Sequence, residues 1–363
     1  MRVLMDRRAE FQYASSGMGT YAAMIWQYLR QSETAERQLL GWGEGTSYQT
    51  DPFFWEHLAE RQLRARDCDL LFVPHNGIGD YDDSRLSCPT VVTVHDLIPY
   101  RLPEYTGVGY RELFFRQMPK ILEDAAHLIA VSHQTKEDLC RLCGVEEEKI
   151  TVIYEGVHPF FQPLPREYVC RCLQKTYGLA RPYVLYVGGF SGRKNVEALL
   201  CAYGALRRRG LRQCPLVLVG KSSANEEMLM KTACRLGIED ALYWLGEVPL
   251  ADLPLLYNGA SVLVYPSRYE GFGLPPLEAM ACGTPVIAGD HSSLPEVIGR
   301  AGLLVDVERV EDLIFAMELV LTSRTTAAAM GKRGLKQAAR FSWKKSAEKT
   351  WKVFEKIKKF ADR

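Results

Sequence analysis

Glu270 and Glu278 stand eight positions apart in YEGFGLPPLEAMACGTPVIA (269–288), with Gly271, Gly273, Pro275 and Pro276 between them. A carboxylate accepts hydrogen bonds from neighbouring hydroxyls, so this pair has the chemistry to hold two sugars. Proline suits the first helical positions, where no N–H is needed. The prolines are therefore predicted to open the helix LEAMACG, with Glu278 in its first turn. Glycines before it let the backbone approach a ligand, and a helix entrance offers amide donors to a phosphate. Two carboxylates around a diphosphate is one arrangement this spacing supports. A helix-dipole carboxylate and a surface glutamate is the plainer one.

A second loop strengthens the first reading. In YVLYVGGFSGRKN (183–195), Gly188, Gly189 and Gly192 allow close approach, and Arg193 and Lys194 supply adjacent cations after a strand. Arginine grips a phosphate as a fork, and lysine adds a point charge. Both also suit a solvated loop. A Rossmann dinucleotide site would place an acid about 20 positions further on. Gly220-Lys221 stands there instead, which disfavours NAD. Earlier in the chain, Gly17 and Gly19 precede an amphipathic stretch, another phosphate-compatible entrance. His95 and Asp96 end the run TVVTVHD, where a histidine suits either packing or ligand contact.

These residues need elements to hold them. Short β-branched or aromatic runs recur at 2–6, 69–74, 90–96, 127–132 and 150–156, then at 183–189, 215–221, 241–246, 261–267, 284–290 and 302–306. Each ends in Gly, Pro, Ser, His or Asp or just short of one, as buried parallel strands do. Helical patterns lie between them; in NVEALLCAYGALRRRG, Asn195 is the expected N-cap. Alternating strand and helix predicts parallel sheets covered on both faces. The Pro- and Arg-containing stretch HPFFQPLPREY (158–168) divides two such series. The expected class is α/β: two Rossmann-like, doubly wound domains facing across a cleft lined by strand-end loops. The expected bounds are 1–165, 166–340 and a terminal helix over 341–363, either docked on the N-terminal domain or also touching an anionic membrane. Residues 331–363 hold twelve Lys or Arg against three Asp or Glu, and Trp343, Ala347, Trp351 and Phe354 share one helical face.

Bulk properties narrow the function. The 363 residues suit two domains, and a net charge of +1 gives no strong preference for nucleic acid. No apolar run approaches the roughly 20 residues of a membrane helix. The charged start MRVLMDRRAE does not resemble a signal peptide, so a cytoplasmic protein is expected. The ten cysteines then read as reduced packing residues, including the CxxC of Cys140 and Cys143.

The E-x7-E segment, the GRKN loop, VTVHDLIPY, IAVSHQTKEDL and ITVIYEGV together resemble the retaining glycosyltransferases of family GT4, which have the GT-B fold. The resemblance implies a C-terminal domain that binds a nucleotide-diphosphate sugar and an N-terminal domain that binds a glycan, lipid-linked or other hydroxyl acceptor. It implies diphosphate binding by Arg193 and Lys194, ribose binding by Glu278, and sugar binding by Glu270 with amides near Phe272, Gly273 and Leu274. Gly189 and Gly271 belong to the same donor loops. Gly17 and Gly19 would close over the phosphates, His95 would lie by the transferred sugar, and the base would lie near Gly246, Glu247 and Val248. No metal and no other cofactor is expected, since cations and amides would stabilise the leaving diphosphate. No residue is assigned as a covalent nucleophile; retention implies front-face attack. Mannosyltransferase-like members make GDP-mannose the first expected donor and a UDP-sugar the second. A GT-B phosphorylase and a non-catalytic nucleotide-sugar-binding subunit are the alternatives.

Overall fold

The computed structural model describes residues 1–14, 16–43, 67–77, 88–179, 182–211, 214–221 and 225–361. The chain divides into two compact units, Met1–Gly156 with Phe341–Arg363, and Val157–Arg340. The expected boundary at 165/166 is therefore too late. Residues after Gly156 pack within the second unit: the Leu164 amide donates to Asn258 Oδ1 at 2.8 Å, and Phe161 meets the Tyr257 ring edge-on.

The first unit holds β1 (Arg2–Asp6), β2 (Gln38–Trp42), β3 (Leu70–Val73), β4 (Thr90–Val94), β5 (His127–Ala130) and β6 (Ile150–Val152). They form one sheet in the order β2-β1-β3-β4-β5-β6, with every neighbouring pair parallel. β3 and β5 are buried along their length, as expected of apolar runs covered on both faces. β2 is absent from the strands expected above. QLLGW carries no β-branched residue and includes a glycine, so it lacks the local signal that marks its neighbours.

The helix Trp343–Ala361 belongs to this unit. Its ring of Phe354 meets Phe72 of β3 at 5.1 Å, and Trp343 meets Tyr21 at 5.7 Å. Trp351 Nε1 donates to Ser32 Oγ at 2.9 Å. The stripe of Trp343, Ala347, Trp351 and Phe354 is buried, so the periodicity marks a core-facing side.

The second unit repeats the plan with β7 (Val184–Val187), β8 (Leu216–Val219), β9 (Leu242–Gly246), β10 (Val262–Tyr265), β11 (Val286–Gly289) and β12 (Leu303–Val305). Its sheet runs β12-β11-β10-β7-β8-β9, again parallel throughout. β7 and β10 are adjacent at the middle of the sheet. That adjacency brings the loops after Val187 and Tyr265 side by side, although 78 positions separate the two strand ends in sequence.

Candidate functional site

In the second unit the loop after β7 closes into a short 3₁₀ turn, Gly192–Lys194. Asn195 follows at φ 53°, a left-handed conformation that asparagine tolerates better than most residues. It precedes the helix Val196–Arg208, but its side chain does not cap that helix; Nδ2 donates to the Val307 carbonyl at 2.9 Å. The expected cap is thus a tether for the cationic loop. A second tie comes from Arg268, whose amide donates to Arg193 O at 2.9 Å and whose Nη1 donates to Gly192 O at 2.8 Å.

Glu270 is where the two loops meet. Its Oε1 lies 2.9 Å from Arg193 Nη1 and 2.7 Å from Lys194 Nζ. Tyr265 OH donates to the same oxygen at 3.1 Å while accepting from Lys194 Nζ at 2.7 Å. Arg193 Nη1 also donates to the Tyr269 carbonyl. Burial by itself would raise the Glu270 carboxyl, but the Arg193 charge, then that of Lys194, pulls it down to about 2. The carboxylate stays ionised and holds both cations in one geometry.

The backbone around Glu270 is anchored as well. Its amide donates to Ser292 Oγ at 2.9 Å, and Ser293 Oγ lies within hydrogen-bond reach of the carbonyls of Glu270 and Phe272, at 2.9 and 2.6 Å. Gly273 has φ 117° and precedes the helix Leu274–Ala281. That φ is one L side chains rarely adopt, and a Cβ would in addition force the end of the Leu294 side chain, 2.9 Å away at Cδ2, to shift. Pro275 and Pro276 carry no N–H, so the donors at this entrance come from the amides up to Leu274.

Glu278 departs from expectation. The helix begins at Leu274, which puts Glu278 in the second turn rather than the first. Its side chain is buried, and Oε2 accepts from Tyr257 OH at 2.8 Å. Burial, followed by the charge of Glu278, drives the Tyr257 phenol well above its ordinary range, so it remains a donor.

Gly189 sits after β7, where its carbonyl accepts from Tyr186 OH at 2.6 Å. Tyr186 stacks on Tyr265 at 6.3 Å, which links the glycine loop to the Glu270 cluster. Val248 follows β9 and is half-buried. Gly271 lies between the Glu270 and Phe272 anchors.

The remaining expected residues belong to the first unit. Gly17 and Gly19 lie in the opening turn of the helix Gly17–Gln31, whose N-cap Ser16 accepts from the Gly19 amide at 3.3 Å. A Cβ on Gly19 would lie 2.0 Å from Tyr13 O, so that glycine is required by packing. His95 follows β4 and is buried. Its ring lies within hydrogen-bond reach of the Pro74 carbonyl on one side and Glu155 on the other. The ring is thus held inside the unit. Asp96 Oδ1 accepts from the Ile98 amide at 3.1 Å.

Sequence reasoning missed Tyr186, Tyr257, Tyr265, Ser292, Ser293 and Glu155. The tyrosines read as ordinary strand or helix core, and nothing local marks a phenol that points at a carboxylate. Among the described residues, no three His, Cys, Asp or Glu side chains come together as a metal ion would need.

Residues 175–337 match the family described as "Glycosyl transferases group 1", and residues 36–159 match "Glycosyltransferase Family 4". The chain is 34% identical to O-antigen chain mannosyltransferase B of Escherichia coli over 73% of this chain and 70% of that protein. It is 30% identical to the serotype-specific mannosyltransferase WbdA of Escherichia coli over 80% of this chain, but spans only 37% of that longer relative. Among solved structures, sucrose-phosphate synthase from Thermosynechococcus elongatus superposes with a TM-score of 0.76 at 22% identity, covering 100% of both chains. Anabaena Alr3699/HepE in complex with UDP and glucose gives 0.77 at 17% identity, covering 98% of this chain and 100% of that one. At such identities the structures establish the fold alone.

Proposed function

Because this chain belongs to glycosyltransferase family 4, and is a hexosyltransferase of the GT-B fold, we propose that it moves a mannosyl group from GDP-mannose to a hydroxyl of a growing, lipid-linked or cell-surface glycan, with retention at the anomeric carbon. A UDP-sugar is the second donor in order of preference. The mannosyltransferase relatives support the sugar; the residues support the chemistry.

One observation carries the reading: Arg193 Nη1 and Lys194 Nζ converge on Glu270 Oε1 at 2.9 and 2.7 Å. Breaking the anomeric bond loads negative charge onto the leaving diphosphate. Cations that are already oriented stabilise that charge without reorganising during the reaction. In this reading the diphosphate lies against Arg193 and Lys194, and the amides before Leu274 add donors. Glu278, steadied by Tyr257, accepts from the ribose diol. The two cations do the work a divalent metal does elsewhere, so no metal is required.

A melting screen with GDP, UDP and ADP in EDTA tests both parts. GDP is expected to raise Tm most, since a ligand that binds only the folded state stabilises it. Arg193→Ala/Lys194→Ala is expected to remove that shift and to lower kcat by at least about 10²–10³. Wild-type turnover in the double variant, or stabilisation only after a divalent metal is restored, would overturn the assignment.

A further inference from the structure

The turn after β6 carries Glu155 to His95 at the end of β4, across β5. Glu155 Oε1 lies 3.4 Å from His95 Nδ1, with the two side chains 3% and 7% exposed. On the other side of the ring, Nε2 lies 3.0 Å from the Pro74 carbonyl. A carbonyl oxygen only accepts, so Nε2 carries a proton. Nδ1 and Glu155 Oε1 would then set two lone pairs against each other unless a further proton lies between them. Two assignments satisfy this: an imidazolium beside a carboxylate, or a neutral imidazole accepting from a carboxylic acid.

The other carboxyl oxygen decides between them. Glu155 Oε2 is buried and has no hydrogen-bond partner among the described residues. In a carboxylate that oxygen would carry charge with nothing to replace water, a large penalty. In a carboxylic acid it is a carbonyl oxygen, whose unmet demand is smaller. The groups around the pair do not offset the charge. The Tyr21 ring meets His95 edge-on at 4.8 Å, and its hydroxyl lies 3.2 Å from Thr93 Oγ1. Trp343 also meets the Tyr21 ring, at 5.7 Å. Asn76 Oδ1 takes the His95 amide at 2.8 Å. Arg8 is paired with Asp6 at 2.6 Å, and His75 lies 3.5 Å from that same carboxylate.

We propose that Glu155 is a protonated acid that donates to His95 Nδ1, and that it is the positioning residue that keeps His95 as a neutral imidazole with its proton on Nε2. The functional half of this rests on His95 contributing to sugar transfer, as read above. Burial raises the Glu155 carboxyl while His95 pulls it part of the way back, which agrees with the acid form. The main chain is fixed from both sides too: Thr135 Oγ1 donates to His95 O at 3.2 Å, opposite the Asn76 contact. Ring, amide and carbonyl of one residue are thus all held at the end of a central strand.

Histidine-selective ¹⁵N labelling of the full chain reads the protonation state directly. His95 is expected to show a protonated Nε2 and an unprotonated, hydrogen-bonded Nδ1 in the folded protein at neutral pH. A signal with both nitrogens protonated would overturn the proposal, whatever the enzyme's activity. Turnover of GDP-mannose, followed by GDP release, tests the role. Glu155→Leu is expected to lower kcat by about tenfold to a hundredfold with the donor KM little changed, as misplacing a reacting group does. Glu155→Gln can donate an amide N–H to Nδ1 and leaves a carbonyl oxygen at the Oε2 position, so it is expected to recover most of that loss. Equal defects in the two variants would show that a charged carboxylate is required and would sink the idea. His95→Ala separates the premise: unchanged turnover there rejects a role for His95 in transfer, while the nitrogen signals still decide its protonation.

Discussion

Glu270 is buried, and burial alone would favour its neutral form. Arg193 and Lys194 reverse that and hold the carboxyl near 2 against an ordinary value of 4.5. Because the folded-state value is the lower one, the resulting stability is fully present above about 4.5 and is lost as pH falls toward about 2. Glu270→Gln removes the ionisable group while keeping its shape. At pH 7 the variant is expected to unfold at lower urea than the wild type, because two half-buried cations lose their counter-charge. The gap between the two midpoints is expected to narrow as pH is lowered from 4.5 to 2. A gap that stayed constant over that range would mean that Glu270 is not the anion that organises these cations. The same carboxylate explains why the cations can wait in place for a diphosphate: they are oriented by a fixed anion before any ligand arrives.

Between the residue and the domain stand the loops, and here two glycines that look alike in sequence have different duties. At Gly220, after β8, a Cβ would lie 1.8 Å from Gly188 O, so backbone must pass backbone where the loops after β7 and β8 adjoin. At Gly189 a Cβ would meet nothing within 4 Å of the protein. Gly220→Ala is expected to lower Tm by several degrees, since a strained site costs about 1–3 kcal/mol and each kcal/mol shifts a domain of this size by about 2–4 °C. Gly189→Ala is expected to leave Tm nearly unchanged yet weaken GDP binding, if the empty side of that loop is where the nucleotide lies. Equal melting losses, or unchanged GDP affinity in Gly189→Ala, would contradict this division. The example also marks what was legible beforehand. The glycine–cation loop, the E-x7-E segment and eleven of the twelve strands among the described residues could be read from apolar runs and the residues that end them. The helix register that puts Glu278 in the second turn could not, because Leu274 rather than proline begins the helix. Nor could Tyr265 be read as a partner of Lys194: in VLVY it continues a buried strand, and only the pairing of β10 with β7 brings its hydroxyl to the cation.

At the scale of the whole chain, the first unit is completed by residues far along the sequence. The chain leaves it at Gly156 and re-enters at Phe341. Ser346 Oγ donates to Tyr154 O at 2.5 Å, and a Cβ on Gly156 would lie 2.2 Å from Trp343 N, so the re-entry is tightly seated. Trp343, Trp351 and Phe354 are each nearly fully buried. Burying a large apolar side chain contributes about 1.5–3 kcal/mol, so loss of three exceeds a sizeable part of the 5–15 kcal/mol that typically holds a domain together. The sheet β12-β11-β10-β7-β8-β9 and the Arg193–Lys194–Glu270 cluster are built from residues of the second unit, Val157–Arg340. A chain ending at residue 340 is therefore expected to lose transferase activity and to show one early melting transition from the first unit. Its later transition should still rise with GDP, because the nucleotide contacts are proposed to lie in the second unit. Limited proteolysis should then leave a resistant fragment beginning near Val157. If the truncated chain melted in one step, with GDP unable to protect any part of it, the two units would not fold independently. The diphosphate site would then depend on the terminal helix after all.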